Sequence, residues 1–355
     1  MRCVVALLLA SLTALPARAE IRDDIDRLAG KMVEDGKAVG VVVAVIVRGK
    51  EPVFAAYGRT RADGPAPDAD TVFEIGSVTK AFTGVLLADL AAAGSVKLDD
   101  PVARHLPEGW KVPEGEGGRA ITLADLSSHA SGLPRLLANL PLTNLTDPYA
   151  RYGAAELRAF LAGHTLRRKP GEQYEYSNLG AGLLGSALAH RAGTDFDTLV
   201  RRRIAGPLKL ADTGVALSDG QKSRLAAGHN AAGKPVAGWN FDALAGAGAL
   251  RSTARDLAGF TAAAMGAAES PLSAAFKAAA TPRFDTGKGL RLGLGWHIVR
   301  PGGFTRDVVW HNGMTGGYAS FAGYLSDGSA GVVVLTNSQV SVDAAAIGLL
   351  RKLSE

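Results

Sequence analysis

Strand-forming residues in this chain gather at its two ends, and that separation constrains the fold more than any other feature. Near the start, Val41 to Val47 and Pro52 to Ala56 are β-rich runs around Arg48-Gly49-Lys50, the pattern of a hairpin. Near the finish, Val308 to Met314, Ser320 to Leu325 and Gly331 to Thr336 have the same character, separated by Thr315-Gly316-Gly317 and Ser326-Asp327-Gly328. Ile21, Ile25, Leu28, Met32 and Val33 recur at helical spacing before the first strand, and a closing helix is expected from Val342 to Leu353. The region between is rich in alanine, leucine and glycine, with helix starts signalled at Thr122-x-x-Asp125 and Thr253-x-x-Asp256. The economical architecture is α/β: an antiparallel sheet built from both ends and flanked by the terminal helices, with an all-helical lobe inserted. The α/β lobe then covers about 20–75 and 286–355, and the helical lobe about 76–285. A cleft where two lobes meet is a usual place for a substrate.

Met1-Arg2, the apolar run Val4 to Leu15 and then Pro16-Ala17-Arg18-Ala19 have the layout of a secretory signal peptide, 1–19, cleaved after Ala19. That run is too short for a stable anchor, and no later segment offers the roughly 18 unbroken apolar residues of a membrane helix. The expected product, 20–355, is periplasmic or secreted, with no integral membrane segment. Its only cysteine, Cys3, leaves with the leader, so disulfides and thiolate metal sites are excluded. The net charge of +5 drops to +3 when Arg2 and Arg18 are lost. Basic residues are scattered apart from Arg201-Arg202-Arg203, which has the character of a solvated helix face and not of a nucleic-acid site.

A single Ser-x-x-Lys occurs, Ser77 and Lys80, where an extended segment gives way to a helix. Residues three apart share a helix face, so the Lys80 amine can reach the Ser77 hydroxyl, and the helix N-terminus favours negative charge on that oxygen. Alone, the pair also fits an ordinary N-cap serine and a solvated lysine. Other parts tip the balance. Tyr176-x-Asn178 sits in a turn-rich stretch before a helix, pairing a phenol that can pass a proton with an amide that can both accept and donate. His311-Asn312-Gly313 runs along a strand into a turn; the glycine permits close approach, and the Met314 N–H can complete an oxyanion hole with that of Ser77.

In this order the blocks resemble the penicillin-recognising serine hydrolases, nearest to class C β-lactamases and their D,D-peptidase, D-aminopeptidase and esterase relatives. Supporting blocks are His129-Ala130-Ser131-Gly132-Leu133-Pro134, Gly206-Pro207-Leu208, Ser252-Thr253-Ala254-Arg255-Asp256-Leu257 and Val333-Val334-Leu335-Thr336-Asn337. The resemblance implies an acyl-enzyme on Ser77, with Lys80 and Tyr176 sharing the base role and Asn178, His311, Gly313 and Met314 facing substrate. It implies small-molecule substrates: β-lactam amides first, with D-alanyl peptides, D-amino-acid amides and small esters as alternatives. No cofactor is implied. A non-hydrolysing penicillin-binding protein is the alternative from another class, against which the intact Ser77, Lys80, Tyr176 and Asn178 weigh. The chain departs from class C enzymes at His311, where they carry Lys-Thr-Gly. If His311 meets a substrate carboxylate, its charge fades above an ordinary imidazole pKa of about 6.5. Tyr174 is expected to pack. The histidines at 105, 129, 164, 190, 229 and 297 show no metal-ligand spacing, and no metal is implied. Gly180-x-Gly182-x-x-Gly185 follows a turn with no βαβ frame, so a close-packed helix face is expected there and not a dinucleotide site.

Overall fold

The computed structural model describes residues 18–140 and 146–355; apart from Arg18 and Ala19, the expected signal segment lies outside them. Among the described residues, the largest sheet has eight strands in the order β2-β1-β12-β11-β10-β9-β8-β7, every neighbouring pair antiparallel. Its members are β1 (Gly40–Val47), β2 (Val53–Gly58), β7 (Phe284–Asp285), β8 (Leu290–Leu292), β9 (His297–Val299), β10 (Val308–Met314), β11 (Ala319–Leu325) and β12 (Ala330–Thr336). The two chain ends meet one strand in from the β2 edge, where β1 pairs β12 from Val41↔Thr336 to Val47↔Ala330.

Every residue of β1, β11 and β12 is buried, which is why these strands read as apolar runs broken only by Ser320 and Thr336. Alternate side chains serve two cores. Val42, Ala44, Ile46, Val333 and Leu335 join a cluster with helices Thr79–Ala92 and Ala254–Ala264. Val41, Val43, Val45, Val332 and Val334 join the terminal helices through Ile21, Ile25, Ala346, Leu349 and Leu350. Truncating one fully buried leucine of this kind, such as Leu335→Ala, costs about 2–5 kcal/mol.

Three details depart from the sequence reading. The first helix is not uniform: Arg18–Ile25 and Lys31–Glu34 are α-helical, joined by a π-turn over Asp26–Gly30, where a Cβ on Gly30 would sit 2.9 Å from the Tyr57 ring. The inserted region is not all helical: its helices alternate with long loops, it holds the ladder of β4 (Gly228–His229) on β5 (Pro235–Val236), and its β6 (Arg251–Thr253) pairs β3 (Val72–Glu74), which precedes it. Strands of two or three residues carry no readable period. At Thr122 the reciprocal cap forms, with Asp125 N donating to Thr122 Oγ1 at 3.1 Å and Thr122 N to Asp125 Oδ2 at 3.0 Å. At Thr253 only half does, because the Asp256 carboxylate instead accepts from Asp212 N and Thr213 Oγ1.

The glycine pattern at 180–185 packs as expected. A Cβ on Gly182 would meet Leu244, and one on Gly185 would meet Gly246 Cα at 2.7 Å, so helix Asn178–Arg191 lies tight against the short helix Ala245–Gly248. That contact brings the carbonyl of Ala247 beside Lys80.

Candidate active site

Strand β3 runs into Ile75 and a 3₁₀ turn, Gly76–Val78, that opens helix Thr79–Ala92. Gly76 has φ +47°, a conformation other residues resist, and a Cβ there would meet Met314 N at 2.9 Å. Gly313 faces the same turn: its Cβ would sit 2.1 Å from Ile75 O and 2.9 Å from Ser77 N. Two glycines therefore let β10 press against the serine turn. Thr315 N bonds Tyr318 O across the β10–β11 turn, and in an antiparallel ladder the preceding residue, Met314, then points its N–H away from β11. Strand β9 pairs only with Val308–Trp310. The N–H groups of Ser77 and Met314 thus come close together, as an oxyanion hole requires.

Lys80 is fully buried, with Nζ 2.9 Å from Ser77 Oγ, 2.9 Å from Asn178 Oδ1 and 2.7 Å from Ala247 O. Burial, with the Arg135 charge adding to it, holds the amine well below its usual range. Two of its partners are carbonyl oxygens that only accept, so they take two N–H bonds. A neutral amine then turns its lone pair to the third, the Ser77 hydroxyl. Tyr176 also hydrogen-bonds Ser77, but burial pushes its phenol above the ordinary range, and its ring centroid is 4.9 Å from Lys80 Nζ. A protonated phenol beside an amine whose proton burial loosens favours Lys80 as first acceptor and Tyr176 as proton donor.

Asn178 is the first residue of its helix, capped by Ser177, whose hydroxyl accepts from Gly180 N and donates to Pro134 O at 2.7 Å. His129, at φ +57°, accepts from Ser177 N at Nδ1 (3.1 Å) and packs 4.5 Å from the Tyr176 ring. It fixes the Tyr176–Asn178 turn.

His311 differs from its expected place. It is 1% exposed, does not line the cavity beside Ser77, and turns Nδ1 toward the Asn312 carbonyl at 2.6 Å. Its ring lies 4.8 Å from that of His297 and 6.2 Å from that of Tyr176. Burial first, then His297 and Lys80, drive its pKa well below the usual imidazole value, so it is neutral at pH 7. His297 takes the wall position instead, burial bringing it down to about 4, and its Nε2 faces the Tyr174 hydroxyl at 3.4 Å. Tyr174, expected to pack, lines the cavity.

The cavity holds about 590 Å³ and is lined by Ser77, Tyr176, Asn178, Gly313 and Met314, with Tyr149 and Trp239 as an aromatic wall. Leu136 and Met314, the exposed large hydrophobic residues among those described, both border it. Arg135, His129, His297 and Tyr149 were not singled out as functional from sequence. Only the His129–Pro134 block carried a signal, by its place in the resemblance.

A family model for β-lactamases matches residues 25–354. The chain belongs to the β-lactamase family. It is 31% identical to the D-alanyl-D-alanine-carboxypeptidase/endopeptidase AmpH of Escherichia coli K12 over 94% of this chain and 90% of that one. It is 29% identical to a β-lactamase of Pseudomonas fluorescens, over 90% of this chain and 94% of the other. A crystal structure of a β-lactamase/D-alanine carboxypeptidase from Yersinia pestis, complexed with citrate, superposes with a TM-score of 0.84 at 26% identity, covering 96% of this chain and all of that one. This β-lactamase-family protein is a serine hydrolase of the β-lactamase and D,D-peptidase type. No helix among the described residues is long and apolar enough to cross a membrane.

Proposed function

We propose that this β-lactamase-family hydrolase is an exported D-alanyl peptide carboxypeptidase whose Ser77 is also acylated by β-lactams. The observation that carries it is the Lys80 amine, buried, its pKa driven well down by that burial, and 2.9 Å from Ser77 Oγ. Lys80 takes the Ser77 proton as the oxygen attacks the carbonyl carbon, and the N–H groups of Ser77 and Met314 receive the oxyanion. Tyr176 donates a proton to the departing amine, leaving an acyl-enzyme, and recovers one from Lys80; in deacylation Lys80 takes a proton from the attacking water and returns it to Ser77 Oγ as the acyl group leaves. Asn178 holds Lys80 and offers its amide to the substrate, and Gly313 keeps β10 close enough for the hole to form. Export rests on the leader at 1–19, and no cofactor takes part in these steps.

A class C-type β-lactamase is the second reading. Against it stands the buried, neutral His311, which gives the strand no permanent cation where class C enzymes carry lysine. The test is a panel of nitrocefin, D-alanyl-D-alanine peptides, D-amino-acid amides and p-nitrophenyl esters, run on wild type and Ser77→Ala. Fastest turnover of the D-alanyl peptides, lost in Ser77→Ala, is expected, with a fluorescent penicillin adduct on Ser77 by peptide mass spectrometry. Nitrocefin turnover exceeding that of the peptides moves the assignment to β-lactamase, and an adduct on another serine removes Ser77 as nucleophile.

A further inference from the structure

Among the described residues lining the cavity, Arg135 is the only lysine or arginine and Asp343 the only acid. Neither is neutralised by a partner of opposite charge. The Arg135 guanidinium lies over Tyr176, its carbon 5.0 Å from the ring centroid, and it forms no hydrogen bond or ion pair with any described residue. Its backbone is tied down all the same, since its carbonyl accepts from Asn178 N at 3.1 Å. A cation is thus fixed to the same turn that carries Tyr176 and Asn178. Burial lowers the pKa of Lys80 and His129 and raises those of Tyr149, Tyr174 and Tyr176; the Arg135 charge adds to the first effect and opposes the second.

Asp343 begins the last helix and accepts from Asn312 Nδ2 at 2.8 Å, with burial raising its pKa and no basic group beside it. A substrate carboxylate placed near Asn312 meets another acid there and no cation. With His311 buried and neutral, the strand offers such a group nothing in return.

We propose that Arg135 receives the substrate carboxylate, the task that the sequence suggests for His311. This rests on the acyl-hydrolase reading above. A guanidinium presents paired donors that match a carboxylate, it is charged at every working pH, and here it is unspent. Arg135 then sets the preference for peptides with a free C-terminus, and Asp343 sets the direction in which they lie.

The experiment compares wild type with Arg135→Ala, Arg135→Lys and Arg135→Glu on two matched pairs: an acylated D-alanyl-D-alanine with its C-terminal methyl ester, and benzylpenicillin with its methyl ester. The readout is the acid-to-ester ratio of kcat/KM, or of the Ser77 acylation rate, between pH 6 and 9. In wild type the ratio should favour the acid and stay level, because guanidinium and carboxylate both keep their charge over that range. It should drop about tenfold or more in Arg135→Ala, invert in Arg135→Glu, and be partly kept in Arg135→Lys. An unchanged ratio in Arg135→Ala, with both substrates still processed, overturns this inference alone. So does a wild-type ratio that declines through the imidazole range, which returns the task to a histidine. A wild type that processes neither pair, and whose Ser77 takes no fluorophosphonate, overturns the hydrolase reading and this inference with it.

Discussion

Replacing Lys80 by methionine tests whether the amine is neutral in the folded protein, on which the proposed role as base depends. In the unfolded chain a lysine titrates near 10.4, whereas the folded structure buries Lys80 and depresses its pKa. Between the two values the unfolded state carries one more proton than the folded one. The lysine therefore penalises folding at neutral pH, and the penalty shrinks as pH rises toward the unfolded value, by about 1.4 kcal/mol per pH unit in that window. Methionine has no such term. It does forfeit the bonds to Asn178 Oδ1 and Ala247 O, a loss of about 1–3 kcal/mol for each acceptor left dry, but that loss is independent of pH. The expected result is that the unfolding free energy of Lys80→Met, relative to wild type, declines between pH 8 and 10 at up to about 1.4 kcal/mol per unit. Urea titrations across that range measure it, and acylation by a fluorescent penicillin should drop by at least roughly 100-fold in the same variant. Parallel pH–stability curves for the two proteins would refute the reasoning, for they would mean that Lys80 keeps its proton on folding and that another group accepts from Ser77.

Tyr176→Phe should lower kcat by at least roughly 100-fold with the fold intact, and near-normal turnover would leave protonation of the leaving group to Lys80 alone or to Tyr174. Gly313→Ala should cost a similar factor in kcat, because the added carbon meets Ile75 O and the Ser77 N–H and pushes β10 off the serine turn; crystallography of the variant would show the shift. His129, His297 and His311 are all held neutral by burial, so the unfolded chain binds protons there first as pH drops below about 6.5. Stability is then full above that pH and is lost below it by about 1.4 kcal/mol per unit for each histidine, until its folded pKa is reached. Imidazole NMR signals that titrate near 6.5 in the folded protein would contradict this.

The parts of the site that sequence made legible are those set by local geometry. Ser77 and Lys80 meet because three residues span one helical turn, and Gly313 reaches the serine turn because its strand ends in a tight reversal. The central strands were readable for a similar reason, since each is six to eight residues long and bounded by turn residues. Strands β7, β8 and β9 have two or three residues each and lie in a glycine-rich stretch, where pairing, and not pattern, makes them strands. Arg135 escaped notice because an arginine after a proline in a loop looks solvated until the fold places Tyr176 beneath it.

His311 shows where spacing misleads. It lies on the same side of β10 as Gly313, two residues on, and so points inward toward Lys80 and Tyr176, while His297 from the neighbouring strand occupies the wall. A motif fixes the residue and its strand, but what covers the side chain depends on a segment about a dozen residues away in sequence. With that cover in place the ring loses its charge, and Arg135 is left as the cationic side chain among the described residues lining the cavity. The same burial that silences His311 also lowers the pKa of Lys80. A protonated His311 would place a cation behind the cavity wall against Tyr176, at a desolvation cost that burial makes prohibitive. The fold therefore sets apart a buried cluster of Lys80, His129, His297 and His311, where burial disfavours charge, and an exposed Arg135 at the rim of the cavity.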